Sequence, residues 1–231
     1  MSAALAFGFS SLFGFWNLNF GISAQAAEPA RPSALPRFLS AQTNLLTWSA
    51  DLTQTRQLKT LTQPLVSTGR VWFAAPNKFH WEIGSPAQTI AVRGADEMLV
   101  IYPRLKRVER YPIGAQASGQ WKDTLALLEA GFPRSHREIE ERFRILSLTE
   151  SNDLHHVALE PRSSSARRMM PQITISFATN DYALRATELQ FADGSTMRNE
   201  FRNAQENPAL DPALFHPEID PDFKIVEPMK R

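Results

Sequence analysis

The chain has 231 residues, of which 25 are basic and 24 are acidic, so its formal net charge is +1. This balance offers no electrostatic attraction to nucleic acid, whose binding depends on clustered lysine and arginine. Cysteine is absent, which excludes disulfide bonds, thiolate nucleophiles and cysteine-ligated metals. With 43% hydrophobic residues, the chain can bury a sizeable core, and its length is compatible with one domain.

The first 26 residues have the character of an export signal. They carry no Asp, Glu, Lys or Arg, are mostly apolar as far as Phe20, and end in the small-x-small triplet AQA. This pattern predicts a signal peptide, residues 1–26, that is cleaved after Ala26. The positively charged start of an ordinary signal peptide is missing, and an uncleaved membrane anchor is the alternative, since about 20 apolar residues can span a bilayer.

Short strands dominate the region that follows. Residues 27–36 contain three prolines and are predicted to be a flexible leader, before a single domain that spans residues 37–231. The stretch from Arg37 to Leu46 is long enough for a short amphipathic helix. After it, apolar and polar residues alternate in runs that glycine and proline separate, as in antiparallel strands joined by turns. The apolar positions of these runs are Trp48, Ala50, Leu52, Val71, Phe73, Phe79, Trp81, Ile83, Ile90 and Val92.

One helix interrupts the strand pattern. Within residues 120–130, Trp121, Leu125 and Leu128 are four and three positions apart, so they share a helical face. Residues 135–148 are charge-rich and indicate a helix followed by a strand. The remaining predicted elements are strands at 155–159, 173–177, 187–191 and 197–201, a hairpin turn at Asp193-Gly194, a helical turn at 211–215 and a closing strand at 223–226.

These elements predict a mainly β protein of the α+β class. It consists of a single curved antiparallel sheet of about nine to eleven strands, with two or three short helices. A sheet of that size tends to curl or close. If helices cover its concave face, the apolar hollow between the two layers is the natural place for a ligand.

Residues 54–81 carry a specific order of residues. They read Q-T-R-x-L-K-x-L-x-x-P-L-x-S-x-G-x-V-W-F-x-x-P-x-x-F-x-W, and Pro86, Gly94 and Tyr102-Pro103 follow. This order resembles the periplasmic lipoprotein carrier family, LolA. The export signal, the single helix before the strands, the leucine-rich helix after the first strands and the missing cysteine fit the same family. The comparison extends over nearly all of residues 33–228.

The resemblance implies an unclosed β-barrel capped by helices, a LolA-like half-barrel. Its apolar cavity would take the acyl chains of lipoproteins from an inner-membrane ABC transporter and carry them across the periplasm to an outer-membrane acceptor. It implies a monomer that needs no cofactor, metal or covalent chemistry. We therefore expect the acyl cavity and its lid to be lined by Trp48, Leu52, Phe73, Phe79, Trp81, Ile90, Val92, Leu125 and Leu128. Alternation alone does not distinguish a ligand cavity from an ordinary protein core.

One position departs from the family pattern. An arginine commonly precedes the proline that corresponds to Pro76, and it holds the lid through hydrogen bonds, whereas this chain has Ala75. Alanine cannot donate those bonds, so a specialised cargo such as a glycolipid is an alternative to lipoprotein. Two other functions stay open: a sensor that binds lipid or lipoprotein and signals through a protein partner, and a hydrolase with a carboxylate pair that sequence does not reveal.

Two polar motifs are interpreted as structural. The His155-His156 pair is not predicted to bind a metal, because adjacent strand residues point to opposite faces. Residues 167–170, two arginines followed by two methionines, are predicted to form a solvated loop rather than a contact to anionic lipid. The chain has no G-x-S-x-G, H-E-x-x-H or glycine-rich phosphate motif, so no enzyme is predicted.

Overall fold

Thirteen strands form one sheet in the computed structural model, which describes residues 28–29, 33–113 and 135–228. In chain order the strands are β1 (Glu28–Pro29), β2 (Thr47–Gln57), β3 (Leu65–Ala74), β4 (Lys78–Ile83), β5 (Thr89–Arg93), β6 (Glu97–Tyr102), β7 (Arg107–Pro112), β8 (Phe143–Ser151), β9 (Leu154–Pro161), β10 (Gln172–Ala178), β11 (Leu184–Gln190), β12 (Thr196–Glu206) and β13 (Lys224–Val226).

The order of the strands across the sheet is β1-β8-β9-β10-β11-β12-β2-β3-β4-β5-β6-β7-β13. Strands β2 to β7 are neighbours in sequence, as are β8 to β12, and the two groups meet where β12 pairs with β2. All pairs are antiparallel except β13 with β7. Because β1 and β13 are the two edges of the described sheet and do not pair, the sheet is open, which confirms the predicted unclosed barrel.

Three short helices and two 3-10 turns accompany the sheet in the described part of the chain. The helices are α1 (Ala34–Thr43), α2 (His136–Arg142) and α3 (Ser164–Met169), and the 3-10 turns are Pro103–Leu105 and Pro212–Phe215. No described helix has the length and apolar character needed to cross a bilayer. All three helices contribute side chains to the main hydrophobic core, which also contains residues from β2, β3 and β8 to β12. We call the face of the sheet that meets these helices the inner face.

A second layer covers part of the opposite, outer face. The chain leaves β12 and crosses β4 to β7, where Nδ1 of His80 donates a hydrogen bond to the carbonyl oxygen of Leu214 (2.6 Å). Ile219 and Phe223 then pack against the apolar side chains Leu99, Ile101 and Val108. The C-terminal segment therefore buries β5 to β7 on the side that faces away from the helices.

The structure corrects four details of the predicted elements. Helix α1 begins at Ala34 instead of Arg37, because Ala34 and Leu35 are buried and a proline is tolerated in the first turn of a helix. Two residues of the predicted leader form β1. The sheet has thirteen strands instead of nine to eleven. The prediction missed β6 and β7 because they lack the simple alternation that marks a strand with one buried face. Residues 164–169, partly assigned to a loop, form α3.

Candidate functional site

Five of the predicted site residues share the inner face. Residues opposite each other in an antiparallel pair point to the same side. Trp48 lies opposite Phe73, which lies opposite Phe79 on the next strand. Leu52 belongs to the same face of β2 as Trp48, and Trp81 to the same face of β4 as Phe79. The structure thus brings Trp48, Leu52, Phe73, Phe79 and Trp81 together on one apolar floor.

Ile90 and Val92 lie on the other side of the sheet, which corrects their assignment to the cavity. On β5, the residue opposite Trp81 is Ala91, whereas Val92 lies opposite His80. Ile90 packs with the outer-face cluster beneath the C-terminal segment. Alternation placed Ile90 and Val92 on one face of β5, with Ala91 and Arg93 on the other, but it gave no indication of the outer layer that covers them.

Leu125 and Leu128, together with the predicted helix at 120–130, lie outside the described residues. Their assignment to a lid stays a prediction.

The inner face over β8 to β12 and β2 is filled by helix side chains. Phe38 of α1 stacks on Phe177 of β10 with ring centroids 4.4 Å apart and planes 13° from parallel. Trp48 and Leu52 are each only 2% exposed, as part of the same core. In this conformation these two predicted site residues are therefore core residues, with no surface left for a ligand.

The inner face over β4 to β7 is different, and we call it the β4–β7 wall. Its buried members are Phe79, Met98 and Ile113, and its half-buried members are Trp81, Ala91, Val100 and Tyr111. All of these residues come from strands except Ile113, which directly follows β7. Within the described residues, no helix contributes a side chain to the wall. The wall consequently keeps half-buried apolar surface on the same floor as the core.

Trp81 joins the wall to the main core. It packs against both clusters, and its ring lies 6.1 Å from that of Phe201 on β12 in an edge-to-face arrangement. Trp81 is only partly buried. The other four predicted site residues on the inner face are buried. Trp81 is therefore the one among the five that has both apolar neighbours and accessible surface.

Polar groups border the wall on its β5 to β7 side. Arg107 donates to one carboxylate oxygen of Glu109 (2.5 Å), and the hydroxyl of Tyr111 donates to the other (2.7 Å). Burial, reinforced by the Glu109 charge, raises the pKa of both Tyr102 and Tyr111, so their hydroxyls stay neutral. Arg93 is buried on the inner face opposite Phe79, and desolvation, with the nearby positive charge of Arg142, lowers its pKa.

Ala75, which stands where the resemblance implies an arginine, lies beside the apolar floor. Ala75 follows β3 directly, its amide donates to the carbonyl oxygen of Leu46 (2.8 Å), and its side chain packs against the main core. An alanine side chain supplies no hydrogen-bond donor here.

Sequence reasoning missed a cavity at one end of the inner face. It has a volume of about 370 Å³ and lies between the end of β2, helix α3 and the β11–β12 turn, within the size range of small-molecule pockets. Leu58, Met169 and Phe191 supply apolar lining, and Arg56 and Asp193 supply charge. These residues are far apart in sequence, and Gln54 and Arg56 interrupt the apolar alternation of β2, so no local pattern indicated the cavity.

The two adjacent histidines point to opposite faces, as predicted. His155 is buried on the inner face beside Phe177 and Tyr182. The ring nitrogens of His156 are hydrogen-bonded to the hydroxyls of Ser151 (3.1 Å) and Ser176 (2.9 Å). The pair therefore does not converge on one point.

Comparisons with known proteins identify relatives along most of the chain. An outer-membrane lipoprotein carrier protein of Chromobacterium violaceum is 30% identical over 197 residues, which cover 84% of this chain and 87% of that protein. A protein of the same description from Dechloromonas aromatica is 26% identical over 172 residues, or 74% of this chain and 77% of that one.

Among solved structures, a LolA superfamily protein of Nitrosomonas europaea matches 79% of this chain and 96% of its own, with 8% identity and a TM-score of 0.41. The family model described as outer membrane lipoprotein carrier protein LolA matches residues 43–218. That match spans more than half of the chain and agrees with the Chromobacterium relative. The chain belongs to the LolA family of outer membrane lipoprotein carrier proteins.

Proposed function

We propose that the protein is a periplasmic carrier that holds the acyl chains of a lipoprotein, or of a related lipid, against its inner face. The observation that carries this proposal is the β4–β7 wall, where Trp81, Ala91, Val100 and Tyr111 keep accessible apolar surface beside a continuous apolar floor. The names of its relatives favour lipoprotein as cargo. Ala75 in place of the family arginine favours a specialised lipid.

The physical need for such a carrier follows from the hydrophobic effect. Removing one methylene group from water is worth about 0.8 kcal/mol, so a long acyl chain does not leave a membrane for an aqueous compartment unless protein covers it. The carrier needs no covalent step. It exchanges the acyl chain between a donor and an acceptor through differences in affinity.

The proposal also includes how the protein reaches the periplasm and between which partners it moves its cargo. Residues 1–26 would direct export and be removed after Ala26, leaving a monomer in the periplasm. An inner-membrane ABC transporter would supply the cargo, and an outer-membrane acceptor would receive it. Edman sequencing of the exported protein tests the cleavage site, and the mass of the cross-linked donor complex tests the first partner.

Native mass spectrometry of protein purified from the periplasm, with extraction of the bound lipid, is the first test. A co-purifying lipoprotein or a defined acylated lipid is expected, and its identity distinguishes the two cargo classes. A protein that is empty and also fails to take up a fluorescent long-chain fatty acid would contradict the proposal.

A pair of variants tests the wall itself. Trp81→Glu places a carboxylate that requires water on the apolar wall, and we expect at least a tenfold loss of fatty-acid affinity. Thr53→Glu, which adds the same charge on the outer face of β2, a strand separated from β4 by β3, is the matched control and should bind normally. Leu52→Glu is less informative, because Leu52 is a buried core residue and its replacement would unfold the protein. Normal binding by folded Trp81→Glu protein would remove the wall from the site.

A further inference from the structure

The two ends of the sheet differ in charge. Five connections between successive strands lie at one end, which we call the basic rim: residues 58–64, 84–88, 103–106, 162–171 and 191–195. They contain one acid, Asp193, and the basic residues Lys59, Arg104, Lys106, Arg162, Arg167 and Arg168. The four described connections at the opposite end, residues 75–77, 94–96, 152–153 and 179–183, contain no lysine or arginine and the acids Asp96, Asp153 and Asp181.

Part of the positive charge at the rim is available to a partner. Lys106 is paired with Asp222, and Arg167 lies 3.5 Å from Glu160. Arg104 and Arg168 are exposed and form no ion pair with any residue that the structure describes. Asp193 interacts with the charge of Lys59, and helix α2 adjoins the rim where Arg162 donates to the carbonyl oxygen of Glu140 (2.6 Å). Arg104 and Arg168 keep the rim positive after these contacts are counted.

Exposed aliphatic side chains collect at the same end. The described residues include seven exposed large hydrophobic side chains, and four of them belong to the β2–β3 and β6–β7 hairpins. These four are Leu61, Leu65, Val66 and Leu105, with 41%, 47%, 60% and 70% of their surface exposed.

The β2–β3 hairpin extends beyond its neighbour. Pairing of β3 with β4 ends at Gly69 opposite Ile83, whereas pairing of β3 with β2 continues to Leu65 opposite Arg56. The tip of this hairpin thus projects from the sheet and carries Leu61, Leu65 and Val66 into solvent beside Lys59.

We propose that the basic rim is a docking surface for an anionic lipid bilayer. Phosphate head groups attract clustered lysine and arginine, and aliphatic side chains on projecting tips enter the boundary between head groups and acyl chains. The acidic connections at the opposite end are repelled by the same surface, which fixes the orientation of the protein with the rim towards the membrane.

A bilayer fits the rim better than a protein partner. Protein interfaces are enriched in tyrosine, tryptophan and phenylalanine at their centre, whereas the exposed large side chains at the rim are leucine and valine. The 370 Å³ cavity lies at the same end of the inner face, so an apolar recess adjoins the contact. Bilayer binding is measured without cargo and does not rest on the proposed carrier function.

Vesicle flotation tests the proposal with the exported protein and variants that share its N terminus. We expect binding to vesicles of phosphatidylethanolamine and phosphatidylglycerol and much weaker binding to phosphatidylcholine alone. Leu61→Ser with Leu65→Ser should weaken binding at least tenfold, and Lys59→Gln or Arg168→Gln about fivefold each.

Controls at other positions separate the rim from the rest of the surface. Leu46 is 66% exposed but precedes β2 at the opposite end, so Leu46→Ser should bind normally, as should Arg202→Gln on the exposed part of β12. Equal binding by the rim variants and the controls, or no binding to the anionic vesicles, would overturn the proposal.

The absence of cysteine allows a second measurement that leaves the rim intact. A single cysteine introduced by Thr60→Cys at the β2–β3 tip, or by Asn77→Cys at the opposite end, can carry an environment-sensitive fluorophore. We expect a blue shift on adding anionic vesicles only for the label at position 60. A shift only at position 77, or at neither position, refutes the proposed orientation.

Discussion

Replacing Phe38 with alanine tests whether helix α1 is a fixed part of the core or a movable cover of the ligand site. Phe38 has no exposed surface and stacks on Phe177, which is also fully buried. Truncation of a buried phenylalanine costs about 3–5 kcal/mol of unfolding free energy. A typical domain has only about 5–15 kcal/mol, so the loss would be a large fraction of the total.

The assay is urea unfolding followed by tryptophan fluorescence, with and without a saturating long-chain fatty acid. Leu46→Ala is the control, since Leu46 is exposed and its truncation should change the free energy by no more than about 0.5 kcal/mol. A loss below about 1 kcal/mol for Phe38→Ala would refute the packing of α1 described above.

The same variant separates two possible ligand sites. Phe38 packs over β10, away from the β4–β7 wall, so folded Phe38→Ala protein should keep its affinity for fatty acid. A lost affinity with the fold intact would instead place the acyl chain under α1, against Trp48 and Leu52.

Two further predictions concern the sheet. An added Cβ at Gly69 would lie 1.8 Å from the carbonyl oxygen of Glu82, so Gly69→Ala should cost about 3 kcal/mol by forcing β3 and β4 apart. At Gly194 nothing lies within 4 Å, and only the positive φ of 85° opposes a side chain, so a smaller loss for Gly69→Ala than for Gly194→Ala would contradict this. Burial, with the charge of Arg198, lowers the pKa of His156. The unfolded chain therefore binds more protons below about pH 6.5, and the urea midpoint should fall as pH drops, less steeply in His156→Gln.

The sequence was most informative where one face of a strand is buried. Alternation located Trp48 to Leu52 and Phe79 to Trp81 and correctly grouped each set on one side of its strand. It also grouped Ile90 and Val92 on one side of β5, but it could not show that this side faces away from the helices, because an apolar cover on the outer face produces the same alternation as the inner core. The outer cover comes from the C-terminal segment, more than 100 residues further along the chain.

Other features arise only when strands come together. The half-barrel followed from the resemblance at residues 54–81, since period-two patterns do not reveal whether a sheet curls. The net charge of +1 did not indicate the basic rim. Its cations are spread along the sequence from Lys59 to Arg168, and only the antiparallel connectivity places them at the same end of the sheet. The β4–β7 wall likewise required the register, which sets Trp81 opposite Ala91.

The pairing of β12 with β2 has a consequence for how the molecule forms. Each of the two meanders, β2 to β7 and β8 to β12, is built from pairings between consecutive strands, whereas their junction joins positions such as Leu52 and Phe201. Closing so long a loop is slow relative to local hairpin formation. Until the junction forms, the apolar floor is divided into two exposed halves with free strand edges, and the folding chain is most exposed to aggregation in that interval.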